Sequence, residues 1–364
     1  MANSTTSAFS ENAIGARQIA FFAAFILPVY KFVETPSLLA GFMQGDLLVP
    51  ALLQYLLQIG VLIALLYASS KSEETLLLRL EKRLGGWVRV LFVFLALFYL
   101  LSAVLPLLDL EKFVYAVFYD TSPTLFSFAF FFLFSAFIAV KGVKSLGRLA
   151  DLSLFFFLLP FFALIAMSLV EADFTNLLPL FEKKFGHTVS ALTYTKPHFS
   201  DVLFLLPLIL NLRYKKGDGA KIVTGYGVGA VLSILFLLVF YGLYSSISPR
   251  EHYAFAKIAQ YFPVLSIVGR IDLVFVYMLC VTLFFYTATP LFYSVHFLSK
   301  SIRTHGKTWV SALVHFGAFL FVLFCNKYYN SVYALFGNYL FILFFLFDGL
   351  IVLLLLLPKE KRYA

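Results

Sequence analysis

The chain is predicted to be an all-α integral membrane protein of ten transmembrane helices, and three observations carry that prediction. Of its 364 residues, 62% are hydrophobic and only 13% charged, against about 45–50% and about 25% in soluble domains. Apolar segments recur from residue 17 to residue 357 without a long polar stretch, so one membrane domain accounts for the chain better than linked soluble modules. Lysines and arginines fall in short loops whose cationic density alternates along the chain, the pattern that orients helices in a bilayer.

A hydrocarbon core of about 30 Å calls for about 20 apolar residues per helix. Ten spans are expected near 17–40, 46–68, 87–108, 123–140, 149–170, 199–213, 221–247, 264–297, 308–326 and 331–357. The first is read as a mature helix and not a signal peptide, because Lys31 and Glu34 interrupt it and many spans follow. Placing the loops on alternate sides puts 18 cations on one side, from Arg17 through Lys71, Lys141, Arg213 and Lys300 to Arg362. The other side holds seven: Lys112, Lys183, Lys184, Lys196, Arg250, Lys257 and Lys327. Both termini are therefore expected in the cytoplasm, and one missed span would break the alternation downstream.

Between spans two and three, residues 72–85 set Leu76, Leu77, Leu80 and Leu84 at helical spacing against a charged face. Such a segment is expected to lie on the inner membrane surface. The net charge of +9 is spread over loops and forms no groove for nucleic acid. Two cysteines, Cys280 and Cys325, sit in apolar runs, and no Cys/His cluster has metal-ligand spacing. Neither a metal nor another cofactor is expected. Phosphate-loop, His-Glu-x-x-His, Gly-x-Ser-x-Gly and dinucleotide motifs are absent from the sequence, and its six histidines form no ligand pairs, so an enzyme is not expected.

The informative residues are those that a membrane makes expensive, since an ionisable side chain at its centre costs at least about 2.5 kcal/mol. Span one carries Lys31 and Glu34 on one face, between Pro28 and Pro36. Span six is short, with Asp201 near its start and Pro207 in its middle. Proline-interrupted spans at matching positions of two halves mark the binding site of inverted-repeat transporters, and spans one and six are five apart. Arg270 and Asp272 open span eight at a spacing that does not put them on one face, and Asp348 sits mid-span in span ten with no cation within four residues. Asp109, beside Glu111 and Lys112, reads as interfacial. Gly225, Gly227 and Gly229 in span seven read as helix-packing glycines.

Several segments together resemble the integral-membrane B subunit of endospore germination receptors, itself similar to amino-acid, polyamine and organocation permeases. They are Ile14-Gly15-Ala16-Arg17-Gln18, Thr35-Pro36-Ser37 followed by Gly45-Asp46-Leu47, Glu74-Thr75-Leu76 through Arg83-Leu84-Gly85, Ser122-Pro123, Gly142 through Arg148, Phe262-Pro263, and Gly269-Arg270-Ile271-Asp272. Two positions depart from the family pattern. Pro28-Val29-Tyr30-Lys31 stands where a glycine is common near the break, and Asp272 replaces a Glu. The resemblance implies a LeuT-type 5+5 inverted repeat, over 17–170 and 199–357, with a small-molecule site between helices 1, 3, 6 and 8. It also implies partner A and C subunits in the spore inner membrane.

The expected function is germinant sensing: a small nutrient, expected to be an amino acid, binds at the breaks of helices 1 and 6. Pro28, Tyr30, Lys31, Glu34, Asp201, Phe204 and Pro207 are the candidate ligand-binding residues, and Arg270, Asp272 and Asp348 the candidate coupling or structural charges. The competing expectation is a proton- or sodium-coupled amino-acid permease of the same fold.

Overall fold

The computed structural model describes residues 14–72, 74–118, 124–262, 271–302, 306–335 and 339–353, and the regular structure among them is helical. Prolines shape the first crossing. Helix α1 (16–31) starts as α-helix over Ala16–Phe21, widens to a π-helix over Phe22–Ile26 and returns to α-helix over Leu27–Lys31. Pro28 has no N–H, and its ring presses on the carbonyl four residues back, so a wide turn precedes it: the Leu27 amide bonds the Phe22 carbonyl. The chain unwinds over 32–34 and resumes as α2 (Thr35–Met43) with Pro36 in its first turn, where a missing N–H is tolerated. The break thus falls at Phe32–Glu34, after Pro28 rather than at it.

There follow α3 (Leu48–Ser70), α4 (Leu76–Leu84), α5 (88–118, in segments Val88–Ser102 and Val104–Phe118), α6 (Thr124–Lys141) and α7 (Val143–Glu171). Next come two short helices, α8 (Phe185–Tyr194) and α9 (Asp201–Leu210), joined by a 3-10 turn over Lys196–Phe199. The chain continues through α10 (Asp218–Tyr244), α11 (Ala254–Tyr261), α12 (Ile271–Ile302), α13 (Lys307–Lys327), α14 (Tyr329–Leu335) and α15 (Phe341–Leu353). Length and hydropathy alone single out six membrane-crossing helices among the described residues. Ten is reached only by adding the two shorter apolar helices, α6 and α15, and the two interrupted crossings.

The sixth crossing corrects the sequence expectation. Span 199–213 is only its second half; α8 supplies the first, and the interruption lies at Thr195–Ser200, where Pro197 withholds an amide. Pro207, expected to interrupt, sits inside an unbroken α9. The Leu203 carbonyl, four residues before Pro207, accepts from the Tyr99 hydroxyl at 2.7 Å, and the Phe204 carbonyl accepts from the Tyr293 hydroxyl at 2.7 Å. The α5 tyrosine thus replaces the backbone donor that proline withholds, and the α12 tyrosine adds a bond to the neighbouring carbonyl.

Helix α12 runs along α5 and α7, while α10 packs on α1 and α3. The α10–α1 contact depends on glycine: a Cβ on Gly225 would stand 2.5 Å from the Ala20 carbonyl oxygen, and one on Gly229 2.5 Å from that of Ala23. Gly227, between them, meets nothing within 4 Å. Large apolar side chains such as Leu56, Phe130, Phe316 and Leu346 face outward on the bundle, as lipid contact requires. In α4, Leu76, Leu77 and Leu80 are buried in the protein, and the Arg79 guanidinium donates to the Ala68 carbonyl at 2.8 Å. Only Leu84 of the four leucines is exposed, so the apolar stripe packs on the bundle instead of resting on lipid.

Candidate functional site

The unwound segment of the first crossing frees backbone carbonyls inside the bundle. Pro36 offers no amide to the Phe32 carbonyl, and that carbonyl instead accepts from the Phe255 amide at 3.0 Å. The Val33 carbonyl accepts from the Ala254 amide at 2.9 Å. The first turn of α11 therefore caps the break. The loops after the first, fifth and seventh crossings pack together here, on what we call the far face.

Lys31, the last residue of α1, is buried, and its ammonium donates to Asp201 Oδ1 at 2.6 Å and to the Leu27 carbonyl at 3.4 Å. Asp201 opens α9, where a carboxylate also meets the positive end of the helix. Its second oxygen accepts from the Tyr226 hydroxyl at 3.0 Å. The Lys31 ammonium faces the rings of Phe199 and Tyr55, 5.3 and 5.7 Å from their centroids. One interrupted helix is thus tied to the other by an ion pair within an aromatic wall.

Tyr30 connects four crossings. Its hydroxyl donates to Asp109 Oδ2 in α5 at 2.6 Å. One ring face stacks on His198 from the sixth-crossing break, with centroids 5.0 Å apart, and it also stacks on Tyr286 of α12 at 4.9 Å. Tyr286 in turn stacks on Phe204 at 4.8 Å. A second ion pair lies deeper in the chain order: Lys196 donates to Asp348 Oδ2, which also accepts from Gln58 Nε2 at 3.0 Å. Gln58 Oε1 accepts the Val202 amide at 3.0 Å, linking this pair to the start of α9.

The candidates thus divide into groups. Tyr30, Lys31, Asp201 and Phe204 lie in one buried cluster, Pro28 packs against Gly229, and Pro207 acts through the carbonyls that the tyrosines cap. Lys31 and Glu34, expected on one face, point to different partners because the helix unwinds between them. Glu34 pairs with His252 Nδ1 at 3.0 Å on the far face. There a cavity of about 300 Å³ is lined by Arg250, His252, Tyr253, Lys257 and Gln260. The hydrogen bond to Glu34 outweighs partial burial and holds the His252 imidazole above its usual pKa. Asp272 is buried in the first turn of α12, and Arg270 lies outside the described residues.

Two expectations are corrected. Asp109, expected at the end of its span and beside Glu111 and Lys112, is buried within the protein, and α5 continues past it to Phe118. Lys196, counted among loop cations, is buried as the partner that Asp348 lacks within its own helix. Lys196, His198, Tyr286 and Gln58 escaped the sequence reading; the Lys196-Pro197-His198 triplet, polar and proline-centred beside an apolar run, was the available signal.

Comparison with solved structures gives a crystal structure of MhsT in complex with L-phenylalanine, with 14% identity, a TM-score of 0.62, and 93% of this chain and 88% of that one covered. A manganese transporter variant from Eremococcus coleocola matches at 11% identity and a TM-score of 0.55, covering 98% of this chain and 78% of that one. Both place the chain in the LeuT-type transporter fold with interrupted first and sixth helices. No curated protein matches the chain by sequence. The profile of the spore germination protein family, a permease type, matches residues 49–332. An integral membrane protein of 364 residues whose matched segment spans most of its length and whose fold is that of transporters therefore belongs to the spore germination protein family.

Proposed function

We propose that this protein is the nutrient-sensing membrane subunit of a spore germination receptor, binding a small molecule, an amino acid, between helices 1, 3, 6 and 8. The observation that carries the reading is the position of Tyr30, which touches Asp109, His198 and Tyr286 from three other crossings. A ligand that rearranges Tyr30 changes contacts in all four at once. It biases a conformational equilibrium through its differential affinity for the two states. That the neighbour MhsT is held with L-phenylalanine supports an amino acid as the ligand class.

The remaining parts of the proposal follow from the same picture. The cation-rich loops put both termini in the cytoplasm and make the far face the outer one. Partner A and C subunits in the spore inner membrane read the conformational change. In this reading the first five-helix repeat covers 17–170 and the second 199–357, with α8 (Phe185–Tyr194) leading into the second. The competing reading, a coupled amino-acid permease, draws on the transporter neighbours.

Purified protein in detergent, melted with each common amino acid, tests the site. A stabilising compound whose effect disappears in Tyr30→Ala and Asp201→Ala supports it. Uptake of that compound into proteoliposomes then separates the two readings: binding without net flux means a sensor, and accumulation means a carrier.

A further inference from the structure

The buried carboxylates differ in what neutralises them. Asp201 is saturated, by Lys31 on Oδ1 and Tyr226 on Oδ2. Asp348 has Lys196 and Gln58, and Glu34 has His252. Asp109 is only 2% exposed, and no lysine, arginine or histidine bonds it among the described residues. Its Oδ2 accepts from Tyr30, the Tyr329 hydroxyl is also a hydrogen-bonding neighbour of the carboxyl, and Oδ1 meets no donor within ordinary hydrogen-bond distance among the described residues. A carboxylate buried away from water needs a proton or a cation.

The surroundings suit a cation supplied from outside. Glu34 contributes a second negative charge nearby, and Tyr253 and Tyr329 stand within electrostatic reach of both carboxylates. Tyrosine rings beside a carboxylate form the kind of setting that holds organic ammonium groups. Tyr253 also lines the far-face cavity, so the cluster lies next to that cavity's wall.

A second, independent feature points to the same spot. His198 is only 4% exposed, stacks on Tyr30, and neither of its ring nitrogens has a hydrogen-bond partner. A buried imidazole with both nitrogens unused is a donor and an acceptor waiting for a polar group. Asp109 and His198 both contact Tyr30, one at its hydroxyl and one on its ring face.

We propose that Asp109 is the docking carboxylate for the ligand's ammonium, that His198 receives the ligand's other polar end, and that the ligand is a primary amine such as an α-amino acid. This assignment rests on the pocket reading above. It places the amine on Asp109 and leaves Asp201, which Lys31 already neutralises, as an internal tie between the interrupted helices. Purines and sugars without an amine are excluded as ligands of this site.

The test uses the full chain in detergent, melted with the common L-amino acids, each beside its amide and its deaminated acid. The expected result is that at least one amino acid and its amide raise the melting temperature while the deaminated acid does not. In Asp109→Asn, which has the shape of the protonated acid, apparent affinity should fall at least tenfold; His198→Phe should weaken the amino acid more than its amide. If the deaminated acid stabilises as well as the amino acid, or Asp109→Asn binds within twofold of wild type, the ammonium assignment fails and the pocket stands. If no compound in the panel stabilises the wild-type protein, the pocket reading fails and takes the assignment with it. The comparison of amine with deaminated acid is made on the wild type, so it holds even if Asp109→Asn does not fold.

Discussion

Tyr99 and Pro207 act as a compensating pair at the residue scale. The hydroxyl bonds the Leu203 carbonyl that the proline deprives of its amide donor, in a region where water cannot take over. Tyr99→Phe is expected to cost about 1–2 kcal/mol in the native background. In Pro207→Leu, where position 207 regains its N–H, the same change should cost markedly less. A double-mutant cycle on unfolding in detergent measures the coupling, and equal costs in both backgrounds would remove the account. His252 offers a second residue-scale prediction. Its hydrogen bond to Glu34 raises its pKa in the folded state, with Glu251 adding to the rise and Lys257 and partial burial opposing it. A raised folded value means that the contribution is complete below the unfolded pKa of about 6.5 and is lost as pH climbs through the folded value. The side chain is 59% exposed, so the gain is on the order of 0.5 kcal/mol after solvent screening. Wild type should exceed His252→Gln in melting temperature near pH 6 and converge with it near pH 8.5; parallel curves would show that the pair contributes nothing.

Helix packing in α10 discriminates between glycines that look alike in sequence. Gly225 lies where a methyl group would strike the Ala20 backbone at 2.5 Å, so one of the helices must move. Gly225→Ala is expected to destabilise by about 1–3 kcal/mol, the cost of overpacking. Gly227→Ala meets open space and should be neutral or stabilising by up to about 1 kcal/mol, because alanine favours helix. Thermal unfolding of the two variants decides it, and similar losses in both would mean that α10 and α1 are not in this close contact. The same scale explains α11. Its eight residues are too few to be stable alone. Its first amides nonetheless hold the Phe32 and Val33 carbonyls, so the helix and the break in the first crossing stabilise each other.

Two buried ion pairs span the whole molecule, Lys31 with Asp201 and Lys196 with Asp348, joining residues 170 and 152 positions apart. Such pairs are costly to break one partner at a time, so they favour one arrangement of the interrupted crossings over misregistered ones. The folded molecule also buries both of its thiols, Cys280 and Cys325. A thiol-reactive fluorophore should therefore leave the native protein unlabelled and react at both positions through the melting transition. Labelling of either thiol well below that transition would reveal local opening of α12 or α13.

Membrane character, the approximate positions of most spans and the presence of breaks in the first and sixth crossings were legible in the chain, because hydropathy, loop charge and proline act locally. The expensive residues were legible too: Lys31, Asp201 and Asp348 stand out against apolar neighbours whatever the fold. Their partners were not. Lys196 reads as a loop cation, Asp109 as interfacial and Tyr99, Tyr286 and Gln58 as ordinary span residues until the crossings are packed together. Pro207 reads as a break and is not one: a tyrosine from α5 supplies the hydrogen bond that the proline withholds from the Leu203 carbonyl, and a second from α12 bonds the next carbonyl. The sequence by itself determined which side chains the bilayer would penalise. Only the tertiary structure decided which partner meets each penalty, and that among the described residues no lysine, arginine or histidine bonds the buried Asp109.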